Sequence, residues 1–134
     1  MMKEKKEKYM NISSFLNRFK VKEASGYKED QERIMKLHKE KEVFSYVEEV
    51  YQEEGQWVVK AIFVRGCHKP GEEIALYNCH GILVGTGWIQ DIGMGEQEDK
   101  SDQSEAGEKG TIYFESMEGN MKDIFLTQYI SKND

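Results

Sequence analysis

The apolar positions Ile12, Phe15, Leu16 and Phe19 fall at i, i+3, i+4 and i+7, one stripe of a helix. Asn11 suits its N-cap, and Arg18, Lys20 and Lys22 suit the negative end of the helix dipole. Ser25-Gly26 predicts its stop. Residues 28–42 have only Ile34, Met35 and Leu37 as apolar anchors among Lys, Glu, Asp and Gln. That segment reads as a mostly solvated helix or a loosely ordered linker. From Val43 the period drops to two, and strands are expected over 43–51, 57–65, 73–79, 81–91, 111–116 and 121–130. Branched and aromatic residues such as Val58, Val59, Ile62 and Phe63 pack well on a pleated surface.

The punctuation between these runs predicts their connections. Pro70-Gly71 supplies turn chemistry inside 66–72, so 57–65 and 73–78 read as a β-hairpin. Gly85 and Gly87 lie on the face opposite Ile82, Val84, Thr86 and Trp88, a pattern that marks a bulge or a barrel bend. Residues 93–110 are rich in Glu, Asp, Ser and Gly without apolar periodicity, and predict a long, mobile, acidic loop. A turn is expected around Glu118-Gly119-Asn120. The fold class is therefore mainly β: a small six-stranded, closed or nearly closed barrel over 43–134, preceded by a charged helical arm over 1–42. A sandwich is the alternative, with less support because the glycine bends suit closure.

Composition narrows the picture. A chain of 134 residues can bury one core without disulfides. Its longest nearly apolar run, 57–64, is broken by Lys60 and falls far short of the roughly 20 residues a bilayer span needs. No apolar segment follows the basic start MMKEKKEKYM, so no signal peptide and no membrane role is expected. Two cysteines make no disulfide framework, and a cytoplasmic location is the expectation. Residues 1–42 carry 12 Lys and Arg against 8 Asp and Glu, and the remainder carries 7 against 17. So acidic a barrel argues against a broad nucleic-acid surface on it.

Cys67, His68, Cys79 and His80 form two Cys-His pairs, and four such ligands invite a zinc reading. Neighbours on a strand point to opposite faces, and an extended 73–79 holds Cys67 and Cys79 about 20 Å apart. The plainer expectation is a turn pair and a strand-end pair with neither metal nor disulfide. The carboxylate runs Glu48-Glu49, Glu53-Glu54 and Glu72-Glu73 read as solvated hairpin ends rather than acid/base pairs. No catalytic residue and no cofactor is expected. Trp57, Trp88, Tyr46, Tyr77 and Tyr113 could stack nucleobases, but their alternation with Val, Ile and Leu favours barrel core or girdle. The stripe Ile12, Phe15, Leu16 and Phe19 either packs on the barrel or docks into a partner's groove.

Over residues 57–126 an ordered set of short motifs resembles domain 2 of the translational GTPases, the barrel of elongation factor Tu and its relatives. The motifs are Val58-Val59, Arg65-Gly66, Lys69-Pro70-Gly71-Glu72-Glu73-Ile74, Ala106-Gly107-Glu108 and Lys122-Asp123-Ile124. The resemblance implies the barrel and says little of function, because one barrel serves many proteins. The C-terminal barrel of some collagenase-like peptidases is similar. No Gly-x-x-x-x-Gly-Lys-Ser/Thr loop occurs, so nothing cradles a nucleotide triphosphate in that way. The first hairpin is longer than in elongation factor Tu, and no tRNA-contact residue is carried over. The expected function is a non-catalytic binding or adaptor module for protein or ribonucleoprotein partners. The alternative is a small-ligand or metal-binding accessory protein built on the Cys-His pairs.

Overall fold

A computed structural model describes residues 20–133, and their side chains from residue 26 onward. The chain divides into two units between Met35 and Lys36. The stripe Ile12, Phe15, Leu16 and Phe19 lies outside the described residues.

Helix α1 (Lys20–Glu40) runs through Ser25-Gly26, where the sequence predicts a stop. A helix-ending glycine adopts positive φ, and Gly26 does not. A glycine inside a helix costs only about 1 kcal/mol, and the Lys, Glu, Gln and Arg residues that follow it are good helix formers. The helical reading of 28–42 holds as far as Glu40.

Seven strands follow: β1 (Phe44–Glu53), β2 (Gln56–Arg65), β3 (Glu73–Tyr77), β4 (Leu83–Met94), β5 (Asp99–Ser101), β6 (Lys109–Gly119) and β7 (Tyr129–Lys132). Their order is β3-β7-β1-β2-β6-β4, closed by pairing of β3 with β4, with β5 added outside β4. All pairings are antiparallel. The architecture is thus a closed six-stranded barrel with one extra strand. Val59, Phe63, Ile74, Leu76, Ile112 and Ile130 fill its interior and are fully buried.

Three expectations are corrected. The strands β2 and β3 are not hairpin partners, because β1 and β6 take both edges of β2 and β3 lies between β7 and β4. The Pro70-Gly71 turn does form: Gly71 has φ +90° and the Glu72 N–H donates to the Lys69 carbonyl, but it turns a crossover at the barrel end. Residues 93–110 are not an unstructured loop; they hold the end of β4, all of β5 and the start of β6. Register supplies what apolar periodicity lacks there, since Gly93 and Met94 pair with β5 on one side and β6 on the other. Residues 121–130 are not one strand but a helical turn, α2 (Met121–Ile124), followed by the short β7. The Asn120 side chain caps α2 by accepting from the Lys122 N–H at 3.0 Å. In β4, Gly87 and Ile89 are buried, Gly85 is half-buried, and Trp88, like Ile82 just before the strand, is exposed.

The glycines of β4 do mark a bend. A Cβ on Gly85 would lie 2.6 Å from the Glu118 carbonyl oxygen, and one on Gly87 2.7 Å from the Phe114 ring. Next to them the register of β4 against β6 shifts between Trp88 and Asp91, the bulge expected where a sheet curls closed.

One barrel end carries the last turn of α1. There the Arg65 guanidinium donates to the backbone carbonyls of His38 and Lys41, which have no partner further along the helix. Gly66 follows with φ +74°, and a Cβ on it would meet the Glu42 carbonyl oxygen at 2.7 Å. Arg65→Ala is expected to destabilise the barrel by about 1.5–3 kcal/mol, since charged hydrogen bonds contribute at that level. A urea titration followed by tryptophan fluorescence measures it, and an unchanged midpoint would show that the clamp contributes nothing.

Candidate functional site

Antiparallel register sorts the connections between two barrel ends. Tyr46 pairs with Tyr129, Tyr77 with Tyr129, Leu83 with Tyr77 and Gly85 with Gly119. The β1–β2 turn, the β3–β4 connection, α2 and residues 125–128 therefore gather at the end opposite residues 37–42. Of the nine large apolar side chains exposed on the described surface, five lie at this α2 end: Ile82, Leu83, Met121, Phe125 and Leu126. Leu126 is 62% exposed and Phe125 44%, although the Phe125 ring also packs on Trp57 at a centroid distance of 4.7 Å.

The local sequence explains this display. One helical turn cannot bury every apolar residue of Met121, Ile124, Phe125 and Leu126. Ile124 turns inward against Gly85 and Gly119 and is buried, which leaves the others outward. Beside them a groove of about 450 Å³ is lined by Glu54, Gln56, Trp57, Phe114, Glu115 and Met117, among others. The charged side chains around this end are Glu53, Glu54, Glu115, Glu118 and Asp123, against Lys122, and all are exposed. The end is thus an apolar surface in an acidic frame. Sequence alternation had assigned Phe125 and Leu126 to a strand; the signal for the turn was Asn120 followed three residues later by Asp123, an N-cap pattern.

The two Cys-His pairs part: Cys67 and His68 lie in the β2–β3 crossover, and Cys79 and His80 in the β3–β4 connection at the α2 end. Cys67 is half-buried, Cys79 and His80 are exposed, and His68 is fully buried. Among the described residues no group of three or more His, Cys, Asp or Glu side chains is placed to hold a metal ion. His68, expected in a turn pair, is a core residue. Its Nε2 lies 3.3 Å from Ser45 Oγ, its backbone N–H donates to Ser104 Oγ at 2.8 Å, and the Ser104 N–H donates back to its carbonyl. Burial pushes its pKa down to about 4. This residue is a staple joining the 66–72 crossover to β1 and to the segment around Ser104.

Phe63 and Phe114 belong to the core, whereas Trp57, Tyr77 and Tyr113 are half-buried and Tyr46 and Trp88 are exposed. Phe44 is buried, but around it His38, Tyr46 and Tyr129 make a half-exposed cluster in which His38 Nε2 is 3.1 Å from the Tyr46 hydroxyl. On the outer face Tyr113 donates to Glu98, and this bond, with burial, pushes its pKa up to about 12. Glu98 also faces Lys60 at 3.8 Å, so this cluster locks the β4–β5 turn to the sheet.

No family model and no curated protein sequence matches the chain. Among solved structures, the GDP-bound translation initiation factor aIF5B from Aeropyrum pernix is similar, at 12% identity and a TM-score of 0.49 over 96% of this chain. The chain spans only 20% of that protein's length. Among the described residues no helix is long and apolar enough to cross a membrane.

Proposed function

We propose that this chain is a non-catalytic binding module that docks a protein partner through the α2 end of its barrel. The observation carrying this reading is that Ile82, Leu83, Met121, Phe125 and Leu126 are all exposed at one barrel end, among exposed carboxylates. Several large apolar side chains exposed at one end favour burial against a partner. The carboxylates around it repel a phosphate backbone and favour a partner whose rim is basic. A ribonucleoprotein partner is compatible where its protein component makes the contact. The strongly shifted groups serve folding rather than chemistry, since His68 is sealed in the core and Tyr113 is tied to Glu98. A cytoplasmic setting belongs to the same proposal and rests on the free thiols Cys67 and Cys79.

The test is capture from the native cell with tagged protein, comparing the wild type with Phe125→Asp/Leu126→Asp. Both side chains are exposed, so the melting temperature should fall by no more than about 5 °C, the scale of 1 kcal/mol in a domain this size. Proteins recovered by the wild type should be lost from the double variant. Recovery of the same proteins at the same level by both would overturn the reading.

A further inference from the structure

The α2 end holds a second feature that specifies how a partner is gripped. β1 pairs with β2 along its whole length, from Phe44 to Glu53. On its other side β7 pairs only with Phe44, Ser45 and Tyr46, and the Val47 N–H donates to the Gln128 carbonyl at 2.9 Å. Beyond that bond, among the described residues, no strand covers the second edge of residues 48–53. Alternate N–H and C=O groups of those residues point away from β2, the arrangement to which a further strand can hydrogen-bond.

We propose that this free edge of β1 accepts a strand from a protein partner, one that alternates basic and apolar side chains. This rests on the reading of the chain as a protein-binding module and adds the mode and chemistry of the contact. Each face of β1 dictates half of the pattern. On the outer face, Glu49 pairs in register with Lys60, and Tyr51 lies among Lys60, Glu53, Glu98 and Glu49. Glu48 is matched by Lys109 at 3.4 Å, while Glu49 and Glu53 make no ion pair among the described residues. An added strand therefore meets unmatched carboxylates on its outward side, where Lys or Arg is favoured. On the inner face Val50 packs toward the core. Residues 125–128 run beside this part of the hairpin, held by Gln128 at Val47 and by Phe125 at Trp57, which pairs with Gln52. Leu126 lies between those two anchors. Inward side chains of an added strand meet Phe125 and Leu126, where apolar residues are favoured.

Charge also decides against the simplest other occupant, a second copy of this chain. Antiparallel pairing of two such edges would set Glu48, Glu49 and Glu53 of one copy against those of the other. Like charges directly opposite destabilise a ladder. The glutamates and the bulge between Val47 and Glu49 guard the edge against itself while leaving it open to a basic strand.

The experiment uses the full chain and two acetylated synthetic octapeptides, one alternating Lys and Val, the other Glu and Val. Amide hydrogen exchange is the readout. At ten times its Kd the Lys-Val peptide should slow exchange within 48–53 by about tenfold, the mass-action factor for a bound state that blocks opening. The Glu-Val peptide should leave those amides unchanged, and Glu49→Lys/Glu53→Lys should reverse the preference. N-methylation of alternate peptide nitrogens, which removes the ladder bonds but keeps the charge, should abolish protection. Binding of the Lys-Val peptide without protection at 48–53, equal protection by both peptides, or no binding would each overturn the edge proposal. The Phe125→Asp/Leu126→Asp capture result is read separately, so the edge can fail while the α2 end stands.

Discussion

Gly110→Ala is expected to lower the melting temperature by roughly 15 °C or leave the protein unfolded, because one methyl group must enter a space already filled. Gly110 is buried, paired with Ala61 of β2 and with Met94 of β4. A Cβ there would stand 2.6 Å from the Gly93 carbonyl oxygen, 2.7 Å from Phe63 Cε2 and 3.0 Å from Met94 Sδ. The thioether is flexible and can move. The carbonyl belongs to the ladder, and the Phe63 ring is fully buried, so neither yields without opening the barrel seam between β4 and β6. Overpacking of this kind costs about 1–3 kcal/mol and occasionally more, and two immovable neighbours put Gly110 at the upper end. Thermal unfolding followed by circular dichroism measures the effect. A melting temperature within a few degrees of wild type would mean that β4 and β6 stand further apart than the register sets them.

That prediction falls in the segment that the sequence described least well. Barrel class was legible because Val58, Val59, Ile74, Leu76 and Ile112 alternate or run as buried strands do, and because Gly85 and Gly87 mark a bend. The span 93–110 was opaque because its strands contribute ladder bonds with few apolar side chains: β5 is only Asp99–Ser101, and Gly93 and Gly110 have no side chain to signal. Ser104, fully buried, looks in sequence like any loop serine. The supposed hairpin over 57–78 failed for a different reason. Turn chemistry at Pro70-Gly71 is local, whereas the choice of neighbours for β2 and β3 is made by closure of the whole barrel. At the candidate site the carboxylates were visible in sequence as solvated charge. The exposed Phe125 and Leu126 were not, since residues 121–130 alternate well enough to pass for a strand. Of the two Cys-His pairs only one histidine proved structural, and nothing around His68 in the sequence distinguishes it from His80.

His68 sets the second large expectation, a loss of stability in mild acid. In the unfolded chain its imidazole titrates at the ordinary value of about 6.5, whereas in the barrel burial holds it at about 4. Between those values the unfolded chain binds a proton that the folded chain does not, so stability falls as pH falls. Above about pH 7 both states are neutral and the contribution is constant. From there to pH 4 the loss accumulates at roughly 1.4 kcal/mol per unit, about 3 kcal/mol in all. The geometry explains the reluctance to protonate: Nε2 already faces Ser45 Oγ, and a proton on Nδ1 would meet no acceptor, since that atom is buried without a hydrogen-bond partner among the described residues. Carboxylates also titrate toward pH 4, so the measurement is a difference. Urea titrations of the wild type and of His68→Gln at pH 7.5, 6, 5 and 4.5 give two slopes of stability against pH. The variant should be less stable at pH 7.5, having lost a fitted core residue, yet should lose about 2–3 kcal/mol less than wild type on going to pH 4.5. Parallel slopes would mean that the imidazole takes up its proton in the folded barrel, and that the crossover carrying Cys67 and His68 opens to water.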